Sequence, residues 1–144
     1  DQGATQAKPI FRVDSRHHSG MVEVLFKQHV ADRTNWQAML KGDAADRDLE
    51  QVRVDLLADC ESDLEVLRER HGLQAITVLE DAAETRIRYP VTDYPEKVQS
   101  FNLDKTPAIG GTLTGIKGQY LIFDTGVINI RKYGGYKLTL SLES

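Results

Sequence analysis

Thr112-Leu113-Thr114-Gly115-Ile116-Lys117-Gly118-Gln119-Tyr120-Leu121-Ile122-Phe123-Asp124-Thr125-Gly126-Val127-Ile128-Asn129-Ile130-Arg131-Lys132 is the stretch on which the fold turns. Strand-forming runs over Thr112–Ile116, Gln119–Phe123 and Val127–Lys132 are separated by Lys117-Gly118 and Asp124-Thr125-Gly126, which have turn chemistry. Tyr133-Gly134-Gly135 supplies one more turn, and Tyr136–Leu142 follows with Leu138, Leu140 and Leu142 alternating with Lys137, Thr139 and Ser141. The period of two predicts a four-stranded antiparallel meander or half-barrel with one face buried. Four strands alone are marginally stable, so the meander needs a partner to pack on.

Upstream, Asp43–Gly72 provides one. Leu49, Val52, Leu56, Cys60, Leu64 and Leu67 recur at spacings of three and four, predicting one long amphipathic helix. Arg68, Arg70 and His71 suit its C-terminal dipole, and Gly72 suits its stop. Before it, Pro9–Asp14 reads as a strand and Ser19 as the cap of a helix bearing Val22, Leu25, Phe26 and Val30. Trp36–Leu40 reads as a short turn of helix ending at Gly42. Ala75–Leu79 and Thr85–Tyr89 read as a short strand pair, and Lys97–Pro107 as an extended linker. The expected class is α+β in three parts: a strand-helix piece over 1–42, the long helix and strand pair over 43–98, and the meander packed on that helix over 99–144.

The 144 residues suit an ordinary globular domain, and no apolar run approaches the ~20 residues of a membrane span. The single cysteine excludes an internal disulfide and a multi-cysteine zinc site. The chain opens on Asp1 with a polar stretch to Ala7 and no signal-peptide pattern, which suggests a piece of a longer, cytoplasmic protein. Net charge is −4 but unevenly spread. Residues 8–42 hold six bases against three acids, 43–72 hold ten acids against four bases, and 101–144 hold five bases against three acids. Acid is thus segregated into the middle of the chain, away from two mildly basic flanks.

Two longer segments carry a resemblance. They are Asn102-Leu103-Asp104-Lys105 with Gly115–Lys132, and Val30-Ala31-Asp32-Arg33-Thr34-Asn35-Trp36 with Met39-Leu40-Lys41-Gly42. Both resemble a bacterial family of unknown function, the domain-of-unknown-function 2797 family, over nearly the whole chain. The resemblance implies that this is the C-terminal part of a protein about twice as long. Its upstream half would carry several cysteines, could hold a structural metal, and would pack against residues 1–42. The family brings no established activity, and no cofactor is expected in this chain. A weaker resemblance to the GIY-YIG nuclease superfamily points to Glu23 as a helix glutamate and metal-binding candidate, with Trp36 as the aromatic. Asn35 stands where that superfamily carries an acid, and an amide brings no charge to a divalent cation. The tyrosine-bearing strands would lie before Asp1, so the resemblance implies a disarmed site and no catalytic residue here.

The other motifs favour structural readings. Glu23 and His29 are six apart and do not share a helix face, and His17-His18 beside Ser19 reads as a solvated turn rather than a metal site. Cys60 on the apolar stripe reads as a buried, inert thiol. Gly110-Gly111 and Gly115–Gly118 lack both the spacing and the following helix of a phosphate loop. The remaining constellation is on the meander: Lys117, Arg131, Lys132 and Lys137 beside Tyr120, Tyr133 and Tyr136. Cations for phosphates and aromatics for bases on a small curved sheet are the chemistry of single-stranded nucleic-acid binding. The expectation is a non-catalytic nucleic-acid-associated module. The alternatives are a divergent nuclease completed upstream, or an assembly domain using the Leu49–Leu67 stripe.

Overall fold

The structure, a computed structural model, describes residues 3–30, 34–42 and 45–142. The expected helix start at Asp43, the opening Asp1-Gln2 and the family segment Ala31-Asp32-Arg33 lie outside the described residues. In chain order the elements are β1 (Gln6–Ala7), β2 (Phe11–Val13), α1 (Arg16–Phe26), α2 (Trp36–Leu40), α3 (Leu49–Asp59), α4 (Glu61–His71), β3 (Ile76–Val78), β4 (Thr85–Arg86), β5 (Leu113–Lys117), β6 (Tyr120–Phe123) and β7 (Gly126–Asn129). A 3-10 turn over Ile130–Tyr133 follows. The chain forms two compact units, Ala4–Asn35 with Ala44–Arg88, and Asp1–Gly3 with Trp36–Asp43 and Tyr89–Ser144. This division differs from the three consecutive parts expected over 1–42, 43–98 and 99–144.

In the unit built on Ala4–Asn35 and Ala44–Arg88, α1 begins one turn earlier than expected. Ser15, not Ser19, is the cap. Its backbone is extended, and its hydroxyl accepts from the His18 N–H at 3.2 Å. Ser19 lies inside the helix and donates its own N–H to the Ser15 carbonyl. The helix ends at Phe26, so Val30 is exposed rather than part of the stripe.

The expected long helix is two helices. Asp48 caps α3 by accepting from the Glu50 and Gln51 N–H groups, and Cys60, at φ −103° and ψ 3°, separates α3 from α4. The charges explain why the break is tolerated. Glu61 and Asp63 fall in the first turn of α4 and Arg68, Arg70 and His71 in its last, so α4 is matched to its own dipole. The hydrogen-bond ladder still crosses the break, from Cys60 N–H to Leu56 C=O and from Leu64 N–H to Cys60 C=O. Leu56, Cys60 and Leu64 therefore stay on one buried face, whereas Val52 is exposed. They pack with Val22, Leu25, Ala75 and Ile76. The stripe thus shares a core with α1 and β3.

The two short strands do not pair with each other. β3 pairs antiparallel with β2, Arg12 opposite Thr77, and β4 with β1, Gln6 opposite Arg86. The N-terminal segment returns to cover both.

In the second unit, β5, β6 and β7 form an antiparallel sheet in that order, with Lys117 opposite Tyr120 and Tyr120 opposite Asn129. Its core of Tyr120, Ile122 and Val127 closes on Met39 and Leu40 of α2, and Trp36 stacks on Tyr120 with ring centroids 6.0 Å apart. The sheet has three strands, not four, and is no half-barrel. Both of its edges are already used. Val127 exchanges hydrogen bonds with Gln99 and Phe101, and Thr92 N–H and Pro90 C=O bond to β5. The expected linker is therefore an edge partner of β7, and Tyr136–Leu142 has no free edge to join. Leu138, Leu140 and Leu142 are exposed and carry no strand pairing. Gly126, at φ +155°, lets the linker approach. A Cβ there would lie 2.7 Å from the Gln99 carbonyl oxygen and 2.8 Å from the Phe101 ring.

Candidate nucleic-acid interface

The structure divides the cation and tyrosine set into a buried half and an exposed half. Lys117 is only 1% exposed. Its ammonium donates to the Met39 carbonyl oxygen at 3.0 Å and lies 3.4 Å from the Tyr94 hydroxyl, with the Tyr94 ring centroid at 4.9 Å. It is a structural cation, desolvated and held by a carbonyl and an aromatic face, and it does not reach a phosphate. Tyr120 lies in the core under Trp36. Tyr133 is buried too. Its hydroxyl accepts from the Leu103 N–H at 3.0 Å, so its ring offers no face to a base. The burial of Lys117 follows from the direction of its strand. In β5 the inward positions are Gly115 and Lys117, which turns Ile116 outward.

Arg131, Lys132, Tyr136 and Lys137 are exposed. Arg131 and Lys132 sit on the 3-10 turn rather than at a strand end, because the Asn129 side chain accepts from both of their N–H groups and bends the chain after β7. Lys132 lies 5.3 Å from the Tyr133 ring centroid, and Tyr136 meets Tyr133 edge-on at 5.3 Å. The Tyr136 hydroxyl donates to Asp104 at 2.6 Å, and that bond raises its pKa. The exposed set is thus three cations and one partly occupied aromatic, with one acid beside it.

Glu23 is exposed on α1 and pairs with Lys27 at 3.2 Å, one helical turn on. Cys60 is fully buried, and burial, followed by Asp59 and Asp63, pushes its thiol pKa up. His17 and His18 lie within α1 rather than in a turn. Sequence spacing could not show their third neighbour, His71. Its ring lies 4.8 Å from His18 and 6.3 Å from His17, because α4 ends beside the start of α1. His18 Nδ1 pairs with Asp14, and the His71 Nε2 is buried without a hydrogen-bond partner. Among the described residues no group of three or more His, Cys, Asp or Glu side chains is placed to hold a metal ion. Among them also, no helix is long and apolar enough to cross a membrane.

The chain is a mixed α+β protein with a three-stranded C-terminal sheet. Sequence comparison supplies the family. The model of the DUF2797 family, proteins of unknown function, matches residues 1–138, and the chain belongs to that family. No curated protein and no solved structure matches it.

Proposed function

We propose that this DUF2797 chain is a non-catalytic, nucleic-acid-associated module whose contact surface is the 3-10 turn and the segment after it. Arg131, Lys132 and Lys137 would take phosphates, and Tyr136 would take a base. The observation that carries the reading is the side-by-side exposure of Arg131 and Lys132 on a turn pinned by Asn129, next to the half-exposed Tyr136. Cations on a fixed backbone lose less freedom on binding than cations on a loose tail. Segregation of acid into residues 43–72 keeps the C-terminal region mildly basic and favours the approach of a polyanion. Strand scission has no support in the described residues. Glu23 is answered by Lys27, and Asn35 brings no carboxylate.

The test is fluorescence anisotropy with short labelled DNA and RNA single strands, beside a cleavage assay with magnesium and manganese. Salt-sensitive binding without cleavage supports the reading. Absence of binding at ~50 mM salt, or metal-dependent cleavage lost in Glu23→Gln, overturns it.

A further inference from the structure

In the unit that includes Tyr89–Ser144, the segment after the 3-10 turn has the pattern of a strand and no strand to join. Leu138, Leu140 and Leu142 alternate with Lys137, Thr139 and Ser141. Leu140 is 82% exposed and Leu142 86%, so leucine stands in water along this stretch. Among the described residues, none hydrogen-bonds to the backbone of Lys137–Leu142. Both edges of the three-stranded sheet are taken, one by Pro90–Thr92 and the other by Gln99–Phe101. The segment therefore keeps unused backbone donors and acceptors together with unburied leucine, the two things a strand brings to a partner.

The order of residues selects the partner. Lys137-Leu138-Thr139-Leu140-Ser141-Leu142-Glu143 is its own complement when two copies run antiparallel about Leu140. Glu143 lies outside the described residues and enters by its place in the sequence. In that register Leu140 faces Leu140, while Leu138 faces Leu142, Thr139 faces Ser141 and Lys137 faces Glu143, each of these three pairs occurring twice. One face then matches leucine with leucine. The other matches hydroxyl with hydroxyl and ammonium with carboxylate. A parallel register would instead set Lys137 against Lys137 and Glu143 against Glu143, which like charge opposes. We infer that this segment is a self-pairing strand, its occupant the same segment of a second copy in the antiparallel register centred on Leu140. Two short strands are a marginal unit, so the dimer is weak and depends on concentration. The inference does not rest on nucleic-acid binding. The two readings share the charge of Lys137, which Glu143 answers in the dimer and which is open to phosphate in the monomer.

The experiment is sedimentation velocity on the full chain from about 5 to about 500 µM, with circular dichroism to show that each variant is folded. The parent should pass from monomer to dimer across that range. Leu140→Lys sets two ammonium groups face to face where two leucines stood, and should remain monomeric. Lys137→Glu and Glu143→Lys should each weaken self-association by about fivefold or more, because each creates two like-charge pairs. The double variant carrying both should return to within about threefold of the parent, since it exchanges the two charges and keeps the pairing. Register is read by oxidative cross-linking, to which the fully buried Cys60 contributes nothing. Leu140→Cys should cross-link with its own copy. Leu138→Cys alone should not, but should cross-link with Leu142→Cys when the two are mixed. A parent that is monomeric throughout, a dimer indifferent to Leu140→Lys, a double variant as weak as its single ones, or Leu140→Cys cross-linking no better than Leu138→Cys would each overturn the inference.

Discussion

The ammonium of Lys117 donates to the carbonyl oxygen of Met39, tying the end of β5 to α2 across 78 positions of sequence. One hydrogen bond thus joins the three-stranded sheet of this unit to α2. α2 is a single five-residue helix that could not stand alone, and the Met39 carbonyl, which also accepts from the Gly42 N–H at 3.3 Å, gains its side-chain donor from Lys117.

Replacing Lys117 should therefore destabilise the protein while leaving the exposed Arg131, Lys132 and Lys137 in place. Lys117→Ala removes one of the two donors to the Met39 carbonyl and leaves a void beside Tyr94, and should cost about 2 kcal/mol or more. Lys117→Met keeps most of the volume and should cost less. Urea denaturation of both variants checks this. Midpoints equal to the parent's would mean the ammonium is solvated.

Leu56→Ala and Leu64→Ala should each cost roughly 2–5 kcal/mol, since both side chains fill the core beside Val22 and Ile76. Between them Cys60 should be inert to thiol reagents in the folded protein and react once urea unfolds it. It is fully buried and its thiol pKa is raised. Stoichiometric labelling of the folded chain at pH 8 would show that α3 and α4 do not hold their shared face closed.

Acid sensitivity should localise to Glu50. Hydrogen bonds from Arg53 and then Lys8 lower its pKa from 4.5 to about 2. A folded pKa below the unfolded one stabilises the protein above the unfolded value, and that contribution fades as pH falls toward the folded value. The stability difference between parent and Glu50→Gln should be full above about pH 4.5 and vanish near pH 2. It should also shrink with added salt, because the pair is exposed. Denaturation midpoints at stepped pH measure it, and a constant difference would contradict the pairing.

Gly126→Ala should be more disruptive than Gly135→Ala. Both glycines have positive φ, but only at Gly126 does a Cβ run into backbone, while at Gly135 it meets nothing within 4 Å. Thermal melts of the two variants separate the effects: equal losses would mean that strain, not contact with the linker, sets the cost.

The sequence carried much of this fold where the signal was local. Trp36–Leu40 is a helix as expected, Gly72 stops α4, and Tyr120–Phe123 is a strand of the sheet. The failures share a non-local origin. Tyr136–Leu142 alternates as well as any strand, but whether a strand forms depends on a free edge, and Pro90–Thr92 and Gln99–Phe101 had taken both. Lys117 reads as a surface cation until the register shift between Leu113 and Gly115 puts Gly115 and Lys117 inward. The His17–His18–His71 cluster brings together residues more than fifty positions apart, and a groove between α1 and α4 residues more than thirty apart, which no spacing rule reports.

The most direct measurement of the functional account is the salt dependence of single-strand binding by the parent, by Arg131→Ala with Lys132→Ala, and by Lys117→Met. Three exposed cations, at about 0.7 per neutralised phosphate, predict a log–log slope of roughly −2 for the parent. The double variant should fall to about −0.7, and Lys117→Met should keep the parental slope at conditions where it is folded. Loss of slope in Lys117→Met equal to that in the double variant, or no binding by the parent at ~50 mM salt, would contradict the division of the set into a buried structural half and an exposed binding half.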